Sequence, residues 1–166
     1  MEILRTERLV ISKITLNEAS FIRELMNDKD WIQNIGDRGI RTLEDAENYI
    51  KDKFFTSYEK YGYGFYVIIL KSTKERIGTV GLIDRDGIEG IEIGYGMLPG
   101  FRGKGYALEA AKAIFNHAQN SFHIHKIVAI VNPNNIASIH LLEKLGLRYE
   151  KMVRLPGETK DIKYFS

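Results

Sequence analysis

The sequence predicts an α+β domain occupying the whole chain, residues 1–166. Stretches rich in β-formers alternate irregularly with helical stretches, and no linker, repeat or low-complexity segment divides them. The strand-like run Ile91–Met97 also feeds a glycine-rich turn, Pro99-Gly100-Phe101-Arg102-Gly103-Lys104-Gly105, which opens a strongly amphipathic helix.

In chain order, the alternation from Glu7 to Ile14 predicts a strand. Thr15-Leu16-Asn17-Glu18 has the form of a capping box and predicts a helix to about Met26. Gly36 and Gly39 mark a loop, and Thr42-Leu43-Glu44-Asp45 starts a second helix running to about Glu59. Gly64–Leu70 and Arg76–Ile83 predict two strands, and Asp84-Arg85-Asp86-Gly87 is a hairpin signal leading into a fourth, Ile91–Met97. Ala107, Ala110, Ala111, Ile114, Phe115 and Ala118 follow the spacing of a buried helical stripe. A fifth strand over Lys126–Val131, a last helix over 135–145 and a closing hairpin from 147–153 and 161–165 complete the chain.

A strand entering a glycine-rich turn at a helix N-terminus is an anion site, because successive N–H groups and the helix dipole point at one place. The ligand is therefore expected to carry phosphates. A nucleotide-binding GxxxxGK[ST] loop is excluded, since Leu98 and Gly105 stand where that motif needs Gly and a hydroxyl. The dinucleotide fingerprint fares no better, with Leu108 in place of its third glycine and Asn132 near the place of its acidic ribose ligand.

What fits is Arg-x-x-Gly-x-Ala, Arg102 to Ala107, which resembles the pyrophosphate-arm loop of the GNAT N-acetyltransferase superfamily. Two further segments resemble elements of its RimJ/RimL-like branch: Asn132-Pro133-Asn134-Asn135 through Leu147 its second acyl-CoA element, and Leu4-Arg5-Thr6-Glu7-Arg8-Leu9 its opening strand. The resemblance implies a mixed, mostly antiparallel sheet of six to seven strands, with helices on both faces and the fourth and fifth strands splayed to admit acyl-CoA. It implies acetyl-CoA as co-substrate, an amine as acceptor (a protein N-terminus, such as that of a ribosomal protein, or a small amine or antibiotic), and direct attack. As acyl-CoA-binding residues it nominates Met97, Leu98, Arg102, Gly103, Lys104, Gly105, Tyr106, Ala107, Asn132, Asn135 and Lys144, the last toward the 3′-phosphate.

Composition narrows the alternatives. Charged residues make up 28% of the chain and nearly cancel to +2, so no direct nucleic-acid binding is expected. No apolar run approaches the ~18 residues of a membrane span, and the N-terminal residues have no apolar signal core, so no membrane association and a cytoplasmic location are expected. The absence of cysteine removes disulfides and a Cys-acyl intermediate. His123 and His125 lack a third ligand, so no metal is expected. Either a monomer or a homodimer is compatible with the sequence.

Acetyl transfer to an amine needs a neutral nucleophile, a polarised thioester carbonyl and a stabilised thiolate. An α-amino group with a pKa of ~8 is roughly a tenth neutral at pH 7, and a lysine at ~10.4 far less, so a base matters. Period-2 alternation puts Glu92 on one strand face with Gly94 and Gly96, opposite Ile91, Ile93, Tyr95 and Met97. Glu92 is thus the candidate base, with room for substrate beside the glycines, or else a carboxylate at the edge of the core. The Met97 amide is a candidate donor to the carbonyl, provided Gly94 and Gly96 permit a bulge that frees it. Many superfamily members carry an acidic tyrosine where this chain has Leu142. Ser138, one turn earlier on the same helical face, is the candidate to stabilise the thiolate. Losing that tyrosine also leaves open a non-catalytic acyl-CoA sensor or partner module. Tyr58, Tyr61, Tyr63 and Tyr66, with Trp31 and Phe55 near them, are candidates for an acceptor pocket or for core.

Overall fold

Eight strands form the sheet of the computed structural model, which describes residues 1–166. Its spatial order is β1 (Glu2–Arg5), β2 (Leu9–Lys13), β3 (Phe65–Leu70), β4 (Arg76–Ile83), β5 (Ile91–Met97), β6 (Ile127–Val131), β8 (Ile162–Phe165) and β7 (Tyr149–Val153). Every neighbouring pair is antiparallel except β5 and β6, which are parallel and joined through the long helix α5 (Tyr106–Ser121). The count exceeds the expected six to seven because Leu4–Leu9 is not one strand. It turns at Thr6, whose N–H donates to Leu9 O at 2.9 Å, and yields both β1 and β2. The splayed strands expected as fourth and fifth are β5 and β6.

Both faces of the sheet are covered. On one, Ala110, Ala111, Ile114 and Ala118 of α5 pack on Leu9, Ile11, Val80 and Ile93, the small alanines letting the helix lie close. On the other, α1 (Ala19–Met26) and α3 (Leu43–Tyr49) cover Val67 with Ile22, Leu25 and Ile50. The capping box expected at Thr15 is present, with Glu18 accepting from Thr15 N–H at 2.7 Å, and Thr42, where the second helix was expected to start, forms another, with Asp45 accepting from Thr42 N–H at 3.0 Å. The helix begun at Leu43 passes through a π turn, Ile50–Phe55, into α4 (Thr56–Tyr61) and stops at Gly62, whose φ of 77° ends it. A short helix, α2 (Lys29–Asn34), lies where only a loop was expected, too short to carry a helical period and started by Asp28 accepting from Trp31 N–H. After the final helix α6 (Ile136–Lys144), β7 and β8 close the far edge. No helix is long and apolar enough to cross a membrane.

Glu109 in the first turn of α5 fastens the N-terminal turn to the centre of the molecule. It accepts from Thr6 Oγ1, from Arg8 N–H at 2.9 Å and from Arg8 Nε at 2.7 Å. Burial pushes its carboxyl upward, but these donors outweigh burial and hold it below the usual range. Replacing Glu109 with Ala should lower stability by about 2 kcal/mol at pH 7 in urea unfolding. A depressed carboxylate stabilises above its unfolded pKa, so the gap between wild type and variant should close as pH falls below about 4.

Candidate active site

The site is made by two strands parting. β5 and β6 pair only at Ile91↔Ile127 and Glu92↔Val128, while β5 continues along β4 without a register shift to Gly78↔Met97. Leu98 N–H donates across to Ile77 O at 2.9 Å. By the alternation of an antiparallel ladder, the N–H groups of Ile93, Tyr95 and Met97 therefore face away from β4; that of Ile93 falls within the last β5–β6 pairing, and those of Tyr95 and Met97 open into the wedge. The bulge expected at Gly94 and Gly96 does not occur, because the departure of β6 is what frees the Met97 amide. The wedge opens into a cavity of about 610 Å³ reaching both faces of the sheet.

On the α5 face the cavity meets the glycine-rich turn. Gly103 and Gly105 have φ of 74° and 82°, and a Cβ on Gly103 would touch nothing within 4 Å, so glycine is required there by conformation and not by crowding. The N–H groups from Gly103 through Leu108 donate to no acceptor in the protein; three belong to the turn and three to the first turn of the 16-residue helix it opens. Such a row of free donors fits a pyrophosphate. Arg8 braces the turn from behind, donating to Lys104 O at 3.0 Å and lying 4.4 Å over the Tyr106 ring. The Lys104 side chain is exposed beside the turn.

Arg102 departs from its expected role. Its guanidinium donates to Asp28 at 2.6 Å, to Asp30 at 2.5 Å and to Met97 O at 2.8 Å, so its charge is neutralised against α2 and not offered to the turn. Burial pushes the Asp28 carboxyl up, but the Arg102 and Trp31 hydrogen bonds prevail and hold it low. Leu98 packs against the α1–α3 side and does not line the cavity.

α6 forms the opposite wall. Asn135 caps it, accepting from Ser138 N–H at 3.3 Å, and Asn132 accepts from Asn134 N–H at 3.0 Å, which leaves both side-chain NH₂ groups free beside the cavity. Lys144 lies exposed at its rim. Leu142 is 1% exposed and belongs to the core. Ser138 faces the wedge, where Tyr95 of β5 meets it with the two hydroxyl oxygens 2.6 Å apart. Sequence reading missed Tyr95: it appeared only as an apolar residue on the face opposite Glu92.

On the α1–α4 face stands Glu92, 6% exposed and held by Arg85 at 2.7 and 3.2 Å. Burial pushes its carboxyl above the usual range, and Arg85 only partly opposes this. Arg85 was legible only as part of a hairpin signal. The space above Gly94 and Gly96 is filled by aromatic rings: a Cβ on Gly96 would come within 2.2 Å of Trp31, and one on Gly94 within 2.9 Å of Phe65. The glycines thus admit protein side chains and not substrate at those points. Tyr49 and Phe54, five residues apart across the π turn and 5.5 Å between ring centres, complete this wall. The four tyrosines are elsewhere: Tyr66 is fully buried, Tyr58 stacks on it, and Tyr61 stacks on Tyr63. The acidic residues lining this pocket, Asp30 and Glu92, are paired with Arg102 and Arg85, while Arg102 also takes Asp28, Arg41 takes Asp37, and Asp45 caps α3.

A sheet split between a parallel pair, with a row of free amides at a helix start on one face and a buried carboxylate on the other, is the architecture of a GNAT acetyltransferase. The family model for an acetyltransferase (GNAT) domain matches residues 8–148, and the chain belongs to that family. An uncharacterized N-acetyltransferase, p20 of Bacillus licheniformis, is 31% identical over 100% of this chain and 96% of its own length. A GNAT-family acetyltransferase structure from Bacillus anthracis superimposes with a TM-score of 0.81 at 28% identity, covering 99% of this chain and 96% of that one. The structure of RimL, a ribosomal L7/L12 α-N-protein acetyltransferase in complex with coenzyme A, shares the fold with a TM-score of 0.84 at 18% identity, covering 99% and 96%.

Replacing Arg85 with Met strands the Glu92 carboxylate in the pocket. Stability should fall by about 3 kcal/mol at neutral pH. Because the carboxyl is already raised, the deficit should shrink as pH falls and Glu92 takes up a proton; urea unfolding at pH 7 and pH 4.5 checks this.

Proposed function

We propose that the protein is an acetyl-CoA-dependent N-acetyltransferase acting by direct attack of a primary amine, with Glu92 as base and Ser138 at the leaving sulfur. The observation that carries this reading is the wedge, which joins six unpartnered turn amides on one face of the sheet to the buried Glu92–Arg85 pair on the other. Acetyl-CoA, when bound, supplies an acetyl thioester whose carbonyl is open to the amine.

The amides of Gly103 to Leu108 hold the pyrophosphate, with Lys104 and Lys144 adding charge at the rim. The NH₂ groups of Asn132 and Asn135 bond the pantetheine arm, and the Met97 N–H polarises the acetyl carbonyl from the open edge of β5. Glu92 takes the proton from the amine, directly or through one water, and Arg85 favours its ionised form against the effect of burial. The acceptor carries a single amine, a peptide N-terminus or a small monoamine, because the neutralised acidic residues offer little to a polycation. The rival reading, an acyl-CoA-binding module without turnover, draws on Leu142 and is separated by acetyl-CoA consumption over an amine panel.

Acetyl-CoA at a hundredfold over its Kd should stabilise the protein by about 2.7 kcal/mol in thermal unfolding, with no effect from NAD or ATP. An equal shift with NAD would discard the reading. Glu92→Gln should lower kcat/KM roughly a hundredfold and remove the acidic limb of its pH profile, a limb that in wild type lies above the ordinary carboxylate range.

A further inference from the structure

Ser138 has an unusual set of partners for a serine in the first turn of a helix. Such a hydroxyl commonly bonds back to a carbonyl of its own helix. Here Ser138 Oγ makes no such bond, and its partner is the phenol of Tyr95, 2.6 Å away across the wedge, with Ser138 O a second, longer acceptor of the same phenol at 3.3 Å. The Ser138 N–H is already committed to Asn135 Oδ1. Tyr95 itself lies beyond the last β5–β6 pair, so its side chain spans the gap from one wall to the other.

We propose, building on the transferase reading above, that Tyr95 is a positioning residue: it donates its phenolic hydrogen to Ser138 Oγ and so leaves the seryl O–H aimed into the wedge, toward the departing sulfur. The transfer forms a C–N bond and breaks a C–S bond. The electron pair leaves on sulfur, the amine proton passes to Glu92, and the sulfur takes its proton later from solvent. Ser138 contributes a hydrogen bond to the thiolate and loses no proton, and Tyr95 keeps its own.

Two features support the direction of the donated hydrogen. Burial pushes the Tyr95 phenol up to about 12, with the Ser138 hydrogen bond opposing, so the phenol remains a donor throughout the working pH range. A hydroxyl that accepts one hydrogen bond is polarised into a better donor of the next. The apolar Leu142, one turn further along α6, supplies no competing hydroxyl.

The test is a double-mutant cycle of Tyr95→Phe and Ser138→Ala, with acetyl-CoA binding followed separately by thermal unfolding. Each single variant should keep the acetyl-CoA shift and the acetyl-CoA KM, and should lower kcat about tenfold. The double variant should be no slower than either single one, because both remove the same aimed hydroxyl. Additive losses, an unchanged kcat in Tyr95→Phe, or loss of its acetyl-CoA shift would overturn the positioning role, the last by making Tyr95 a strut of the binding wedge. Should Tyr95→Phe fail to fold, the result counts as that same strut outcome and overturns the proposal. A wild-type protein that turns over no amine would instead fail the transferase reading itself, and the positioning role with it.

Discussion

Everything in this molecule that bears on function depends on β6 leaving β5 after Glu92 and Val128 while staying paired with β8 along Ala129, Ile130 and Val131. An unpaired backbone donor inside a protein is costly, so a sheet that parts in its middle must meet the freed groups in other ways. Met97 O is met by Arg102, and the width of the gap on the α5 face is bridged by Tyr95 reaching Ser138. The N–H groups of Tyr95 and Met97 remain turned toward a cavity that a ligand can enter. The same parting lets one cavity reach two faces of a sheet that is otherwise continuous.

Charge around this cavity is largely cancelled in pairs. Arg102 lies between Asp28 and Asp30, Arg85 holds Glu92, and Arg8 holds Glu109. In the proposed reading, anion binding then falls to neutral amides at a helix start, which are fixed by the fold and need no side-chain ordering when a phosphate arrives. Arg8 serves that turn without facing the ligand position: it bonds Lys104 O, lies over Tyr106 and is itself anchored by Glu109. The opening Arg-Thr-Glu-Arg stretch is thus tied to the phosphate turn by contacts between residues a hundred positions apart.

The order of strands and helices was legible because it rests on local signals: the capping box at Thr15, the helix start at Thr42, the hairpin at Asp84–Gly87 and the alanine stripe of α5. The glycine-rich turn and the face of Glu92 were legible for the same reason, since a left-handed glycine and a strand period are local properties. What escaped were properties of encounter. Nothing in the neighbourhood of Arg85 marks it as the partner of Glu92, and Tyr95 reads as one more apolar residue until α6 is folded against it. The role expected for Arg102 failed for a related reason, because Asp28 and Asp30 lie on a six-residue helix with no period to reveal it. The glycines of β5 misled through their ambiguity: absence of a side chain marks space, but only the packed structure shows that Trp31 and Phe65 occupy it.

The exchange between Leu142 and Tyr95 shows why a missing motif residue is weak evidence against a chemistry. A wedge has two walls, and a hydroxyl near its apex is reached from either of them. In this chain the wall contributed by α6 carries Leu142, fully packed into the core, and the phenol comes instead from β5. A tyrosine on a helix held by its cap can pivot with that helix, whereas Tyr95 stands on a strand bonded along its length to β4. Its hydroxyl is therefore placed by a strand paired along its whole length, and α6 is registered against it through Ser138. In the proposed reaction the phenol would act through the serine and not on the sulfur, so the sequence position of a tyrosine matters less than which wall of the gap its oxygen can reach.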